Sequence, residues 1–181
     1  MSKNVVVIST SLRKRSNSAA LAARFADGAR AAGHHVTEIT LAGKQIAFCT
    51  GCLACQKIGH CVINDDAVAI EPQVLAADVV AFATPIYYYE MSGQMKTLLD
   101  RLNPLYPSDY KFRNVYMLSV AAEDEEFVPQ KAENGLQGWV DCFEKAEFSG
   151  SLFCGGIGDM GEASSKSEEL SEAYEFGKAL K

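Results

Sequence analysis

Four of the six cysteines in this 181-residue chain fall between positions 49 and 61. They stand in the run CTGCLACQKIGHC, with spacing C-x2-C-x2-C-x5-C at Cys49, Cys52, Cys55 and Cys61. Thiols this close together ligate metals or exchange electrons. A [4Fe-4S] cluster takes four cysteine thiolates, and the number and spacing suit it. Structural zinc sites use two separated knuckles, which a compact run does not offer. The bacterial ferredoxin run has three residues before its fourth cysteine and proline after it, whereas Val62 follows Cys61 here. A [4Fe-4S] cluster, free or redox-active thiols, and zinc stay open as readings. His60 reads as a loop residue beside the run.

A second segment, residues 10–18, reads TSLRKRSNS. It lies between an apolar run and a helical pattern, where helix-start amides favour an anion. Arg13, Lys14 and Arg15 follow one another in a chain of net charge −6. Ser11, Ser16, Asn17 and Ser18 add side-chain donors, and Arg13 can clamp a phosphate with two parallel bonds. Together these features predict a phosphate-binding loop. It lacks the G-x-x-x-x-G-K-[ST] pattern of nucleotide triphosphatases. Gly156, Gly158 and Gly161 form a G-x-G-x-x-G, but only a helical pattern follows. A dinucleotide site needs a second strand ending in an acidic residue, so that reading is rejected. These glycines read as a loop at a cofactor edge, a partner interface or a tight turn. No Ser-His-Asp set, acid/base carboxylate pair or H-E-x-x-H motif is present, which suits chemistry carried by a bound group.

The elements that must position these residues alternate. Strand patterns cover residues 4–9, 35–40, 78–84, 115–121 and 148–154. Helical patterns cover 18–32, 67–76, 93–102, 127–145 and 164–180. Short apolar strands separated by helices imply a parallel sheet covered on both faces and doubly wound. Ligands collect at the carboxyl ends of such strands, so the loops after Ser9, Thr84, Ala121 and Cys154 carry the expected function. Cys142 and Cys154 read as small core hydrophobes. Asp100-Arg101 at a helix end reads as a structural ion pair or an interface contact.

Hydrophobic residues make up 48% of the chain and charged residues 22%, which excludes a disordered polymer. The length predicts one domain over 1–181 with a full core. With 17 basic against 23 acidic residues, the chain is not expected to coat nucleic acid or an anionic membrane. No apolar run reaches transmembrane length. The first apolar run, residues 5–8, is too short for a secretion signal, so a cytoplasmic location with reduced thiols is expected.

The S-x-R-x-x-S-N-S segment after the first strand resembles the phosphate loop of NAD(P)H-dependent FMN reductases of the flavodoxin-like superfamily. TPIYYYEMSGQMKTLLDR, residues 84–101, is similar to that family's second flavin loop. The cysteine run, the third loop and the late glycine loop match in order, close to the iron-sulfur flavoprotein type. The resemblance implies a flavodoxin-like five-stranded parallel sheet in the order 2-1-3-4-5. It implies FMN as cofactor and NAD(P)H as co-substrate, with a [4Fe-4S] cluster in some relatives. Pro85, Ile86, Tyr87 and Tyr88 would line the isoalloxazine, and Ser119 and Ala121 would lie on the loop that passes its edge. The second substrate would be a small-molecule electron acceptor or a redox protein. The alternative is an electron carrier or redox sensor with little turnover. A homodimer or homotetramer is implied too, in which one subunit covers the other's flavin.

Overall fold

Residues 5–8, all valine or isoleucine, form the centre of the fold because they are buried on both sides. The computed structural model describes residues 1–180; residue 181, the last of the expected domain, lies outside the described residues. Strand β1 (Asn4–Ser9) is flanked by β2 (His35–Thr40) and β3 (Val79–Tyr87). Beyond β3 come β5 (Asn114–Val120) and β6 (Glu147–Cys154). All four neighbour pairings on this path are parallel. The five parallel strands therefore run in the order expected from the resemblance. A sixth, β4 (Glu90–Met91), was not read from the sequence and pairs antiparallel with the end of β3.

Alternate β1 side chains face opposite layers. Val5 and Val7 pack under α1 (Asn17–Ala31) and α6 (Ser167–Lys178), with Leu21, Phe25 and Ala173. Val6 and Ile8 pack under α3 (Asp66–Ala76), α4 (Gly93–Arg101) and α5 (Gln130–Val140), with Ile70, Leu98 and Leu136. On the first face the two helices touch backbone to backbone. A Cβ at Gly28 would lie 1.9 Å from the Tyr174 carbonyl oxygen, and one at Gly177 would lie 2.0 Å from that of Phe25. Both positions thus require glycine.

Several boundaries differ from expectation. Strand β3 runs on through Pro85 to Tyr87, because it gains pairing from both β5 and β4. The expected 127–145 helix is only Gln130–Val140, since Pro129 begins it and turns follow Val140. A one-turn helix α2 (Cys55–Ile58) forms inside the cysteine run and stops at Gly59, whose φ is +77°. The helix expected over 164–180 starts at Ser167, after a 3-10 turn at Glu162–Ser165. Among the described residues no helix is long and apolar enough to cross a membrane.

Candidate functional site

The loop after β1 turns directly into α1. Ser16 caps the helix, its Oγ accepting from Ala19 N–H at 3.2 Å. The remaining first-turn amides point outward, as an anion site needs. Arg15 sits at φ +51°, a left-handed position that costs a non-glycine residue about 1 kcal/mol or more. Such strain at the lip of a cleft fits a loop shaped for a ligand.

A cleft of about 150 Å³ opens at the carboxyl ends of the strands. Of the residues expected to bind the cofactor, Ser11, Arg13, Ser16, Asn17, Ser18, Pro85, Ile86, Tyr87 and Ala121 line it. Tyr88 stands outside at 97% exposure, and Ser119 is fully buried in β5 with its Oγ unpartnered. Arg15 of the basic run and Ala122, next to Ala121, also line it, with Asp159 and Met160 of the late glycine loop, which were not expected individually. The last two come from the loop after β6, where spacing carries little signal.

The loop after β6 is tied across the cleft. Arg13 Nη1 donates to Gly158 O at 2.7 Å, and Asn17 Nδ2 to Asp159 O at 2.8 Å. Asn17 Oδ1 accepts from Ala163 N–H at 3.0 Å. Both ends of the Asn17 amide are therefore engaged with the late loop, which makes it a clasp. Asn17→Ala is expected to raise amide hydrogen exchange across residues 157–160, with a loss of about 1 kcal/mol per hydrogen bond. Unchanged exchange there would show that the late loop holds itself.

Below the cleft, three buried hydroxyls join two strand ends to α4. Thr10 Oγ1 donates to Ala83 O at 3.0 Å and is hydrogen-bonded to Ser92 Oγ at 3.1 Å. Ser92 N–H donates to Thr84 Oγ1 at 3.0 Å, and Ser92 Oγ caps α4 at Met95 N–H. This fixes the hairpin of β3 and β4 over the cleft. Its two turn residues, Tyr88 and Tyr89, have φ of +52° and +67°. Such turns ordinarily use Asn-Gly. The Tyr89 hydroxyl donates to Glu123 at 3.1 Å, and its ring lies 6.0 Å from that of Phe127. The Glu123 carboxylate pushes the Tyr89 phenol above its ordinary value. Tyr88 has no such compensation, so Tyr88→Gly is expected to stabilise the fold by about 0.5–1 kcal/mol in denaturant melts. A lower stability would mean that the Tyr88 ring is held by a contact of its own.

The profile of the family described as NADPH-dependent FMN reductase matches residues 3–141. The chain belongs to that family. An iron-sulfur flavoprotein of Archaeoglobus fulgidus is 39% identical over 72 residues, covering 40% of this chain and 33% of the relative. One from Methanocaldococcus jannaschii is 34% identical over 101 residues, covering 56% and 52%. The matches thus span about a third to a half of the length of these curated relatives. Among solved structures, an NAD(P)H:quinone oxidoreductase from Methanothermobacter marburgensis aligns over 100% of both chains. Its TM-score is 0.75 at 17% identity. An azoreductase from Bacillus anthracis aligns over 98% of this chain and 100% of its own, with TM-score 0.71 and 15% identity. At these identities the likeness is one of fold.

For an FMN reductase family member, the cleft suits the phosphate end of FMN. A capped helix start with outward amides and two arginines meets an anion, and the hairpin lip is open above it.

The four-cysteine run lies elsewhere. Cys49, Cys52, Cys55 and Cys61 line a cavity of about 660 Å³ that shares no lining residue with the cleft. Cys142 lines it too, exposed just past α5, so it is not the core residue expected. Cys154 is buried in β6, and burial pushes its thiol up to about 11. A backbone hydrogen bond at Ala54 and the Thr50 hydroxyl hold the Cys52 thiol below its ordinary value. The donor set suits an iron-sulfur cluster in kind and number. Its geometry does not fit one, because the thiols are not drawn together. Among the described residues, no group of three or more His, Cys, Asp or Glu stands close enough to hold a metal ion. Arg101 at the end of α4 pairs with Asp65, while its neighbour Asp100 pairs with Lys96.

Proposed function

We propose that this chain is an FMN-dependent oxidoreductase that takes hydride from NAD(P)H and reduces a second acceptor. The acceptor class is a quinone, a free flavin, another small electron acceptor or a redox protein. The observation that carries the reading is the cleft itself. It joins a basic helix-start loop, a hairpin lip and two further loops at the carboxyl ends of a doubly wound sheet. Bound FMN supplies the redox chemistry, and the protein binds and orients it.

In this reading Ser11, Ser16, Ser18 and Arg13 hold the phosphate, with Arg15 as a second cation. Asn17 closes the late loop over it. Pro85, Ile86 and Tyr87 present the hairpin lip to the ring, and Tyr88 extends that lip. Ala121 and Ser119 belong to the strand end at its edge, where a small side chain permits close approach. The buried Thr10–Thr84–Ser92 hydroxyls keep the lip from moving, so the cofactor meets a preorganised surface.

Anaerobic purification tests the reading. A flavin spectrum is expected, with NAD(P)H consumed steadily when a quinone is supplied. Failure to bind FMN after reconstitution would remove it. A second reading, an electron carrier or redox sensor, draws support from the thiol-lined cavity and from relatives named iron-sulfur flavoproteins. It predicts a bound flavin without turnover, and iron and sulfide analysis of the same sample reads the cysteine run. A homodimer or homotetramer in the cytoplasm completes the proposal, and the exposed Tyr88 ring offers apolar surface for such an assembly. A monomer in light scattering would count against that assembly.

A further inference from the structure

One buried side chain closes the cysteine loop from the inside. The Arg101 side chain has 0% exposure. Its Nη1 donates to Ala47 O at 2.9 Å, and its Nη2 donates to Ile63 O at 2.9 Å. Ala47 lies just before the first cysteine of the run, and Ile63 just after the last. The same two nitrogens grip Asp65 in a fork, at 2.6 and 2.9 Å. Asp65 in turn accepts from Ala47 N–H at 2.9 Å and caps α3 at Ala67 N–H. Both necks of the loop thus meet on one guanidinium-carboxylate pair.

A second anchor follows at once in sequence. Asn103 Nδ2 donates to Cys55 Sγ at 3.0 Å. Arg101 itself lines the thiol cavity, and its Nε is buried without a partner. The result divides the four thiols. Cys55, held by Asn103, is buried and Cys61, beside the Ile63 neck, is half-buried, while Cys49 and Cys52 are exposed.

We propose that Arg101 is the positioning residue of the four-cysteine loop: by strapping both necks it holds Cys55 and Cys61 against the cavity and leaves Cys49 and Cys52 open to soft electrophiles. The strap divides one cysteine motif into a guarded pair and a reactive pair. Lysine cannot replace it, because a single ammonium does not span two carbonyls and a carboxylate in one plane. The inference does not rest on the flavin reading, since the two cavities share no wall.

Iodoacetamide labelling of the reduced protein as purified, read at each cysteine by peptide mass spectrometry, tests it. In the native chain Cys49 and Cys52 are expected to react about tenfold or more faster than Cys55 and Cys61. In Arg101→Met the guarded pair is expected to come within about threefold of Cys52, while Cys154 stays protected. The emission of Trp139, the chain's one tryptophan and part of the same cavity wall, is expected to shift to the red as the loop lifts. Equal rates for all four thiols in the native chain would overturn the proposal, as would guarded thiols that stay slow in the variant. Simultaneous exposure of Cys154 would assign Arg101 to global stability and overturn the positioning role. If Arg101→Met does not fold, Arg101→Lys keeps the charge, and the same release of Cys55 and Cys61 is expected. Native-like labelling of the lysine variant would show that charge alone suffices, against the strap.

Discussion

Asp65→Ala is expected to cost about 3–5 kcal/mol of stability, because it strands a buried guanidinium without its counter-charge. The Asp65 side chain is 13% exposed and that of Arg101 0%, so water cannot take the carboxylate's place. The substitution also removes the cap of α3 and an acceptor for Ala47 N–H. Burial works against the Asp65 charge. Hydrogen bonds from Arg101 and from the Ala47 and Ala67 amides outweigh it and hold the carboxyl below the usual carboxylate range. A carboxyl depressed on folding stabilises the fold fully above its unfolded value, about 4, and loses that contribution as pH falls through the folded value. Denaturant melts of the native chain and the variant should therefore differ most near neutrality and converge in acid. A constant gap across that range would show that the pair acts only by packing.

Arg13→Ala is expected to weaken FMN binding by about 1.5–3 kcal/mol, roughly 10- to 150-fold in Kd. In the proposed FMN complex Arg13 makes a charge-assisted contact to the phosphate. Its bond to Gly158 O uses one end of the guanidinium, and the planar fork leaves other N–H groups free. Losing Arg13 also frees the late loop on one side, while Asn17 still ties it at Asp159 and Ala163. The loss should thus appear mainly as faster FMN release, read by stopped-flow fluorescence. Unchanged affinity would move the phosphate to Arg15 or to the helix amides alone.

Much of this architecture was legible in the residues. The parallel strands announced themselves because a strand covered on both faces must be apolar throughout, as residues 5–8 and 79–83 are. The loop that lines the cleft after β1 was legible because three basic residues at a strand-helix junction have no packing role. The β3–β4 hairpin was not, because Tyr88-Tyr89 offers none of the glycine or asparagine that marks such a turn. Cys142 was misread for want of a helix end: the helical pattern carries on past Val140, but the helix stops there and exposes the thiol. Arg101 could be recognised as a cation at a helix terminus. Its partner lies 36 residues away, beyond any local periodicity. The late loop was expected near the cofactor, but its ties to Arg13 and Asn17 escaped for the same reason, since they cross more than 140 residues.

Helix α4 begins at the Ser92 hydroxyl junction beneath the cleft and ends on Arg101 in the wall of the thiol cavity. At about 1.5 Å per residue its nine residues make a strut of roughly 13 Å. Two chambers with no wall in common are thereby mounted on opposite ends of one stiff rod. A ligand that slides the rod at one end does mechanical work at the other. Any coupling along it is reciprocal: where occupancy of one chamber alters the affinity of the other, the converse holds by the same factor.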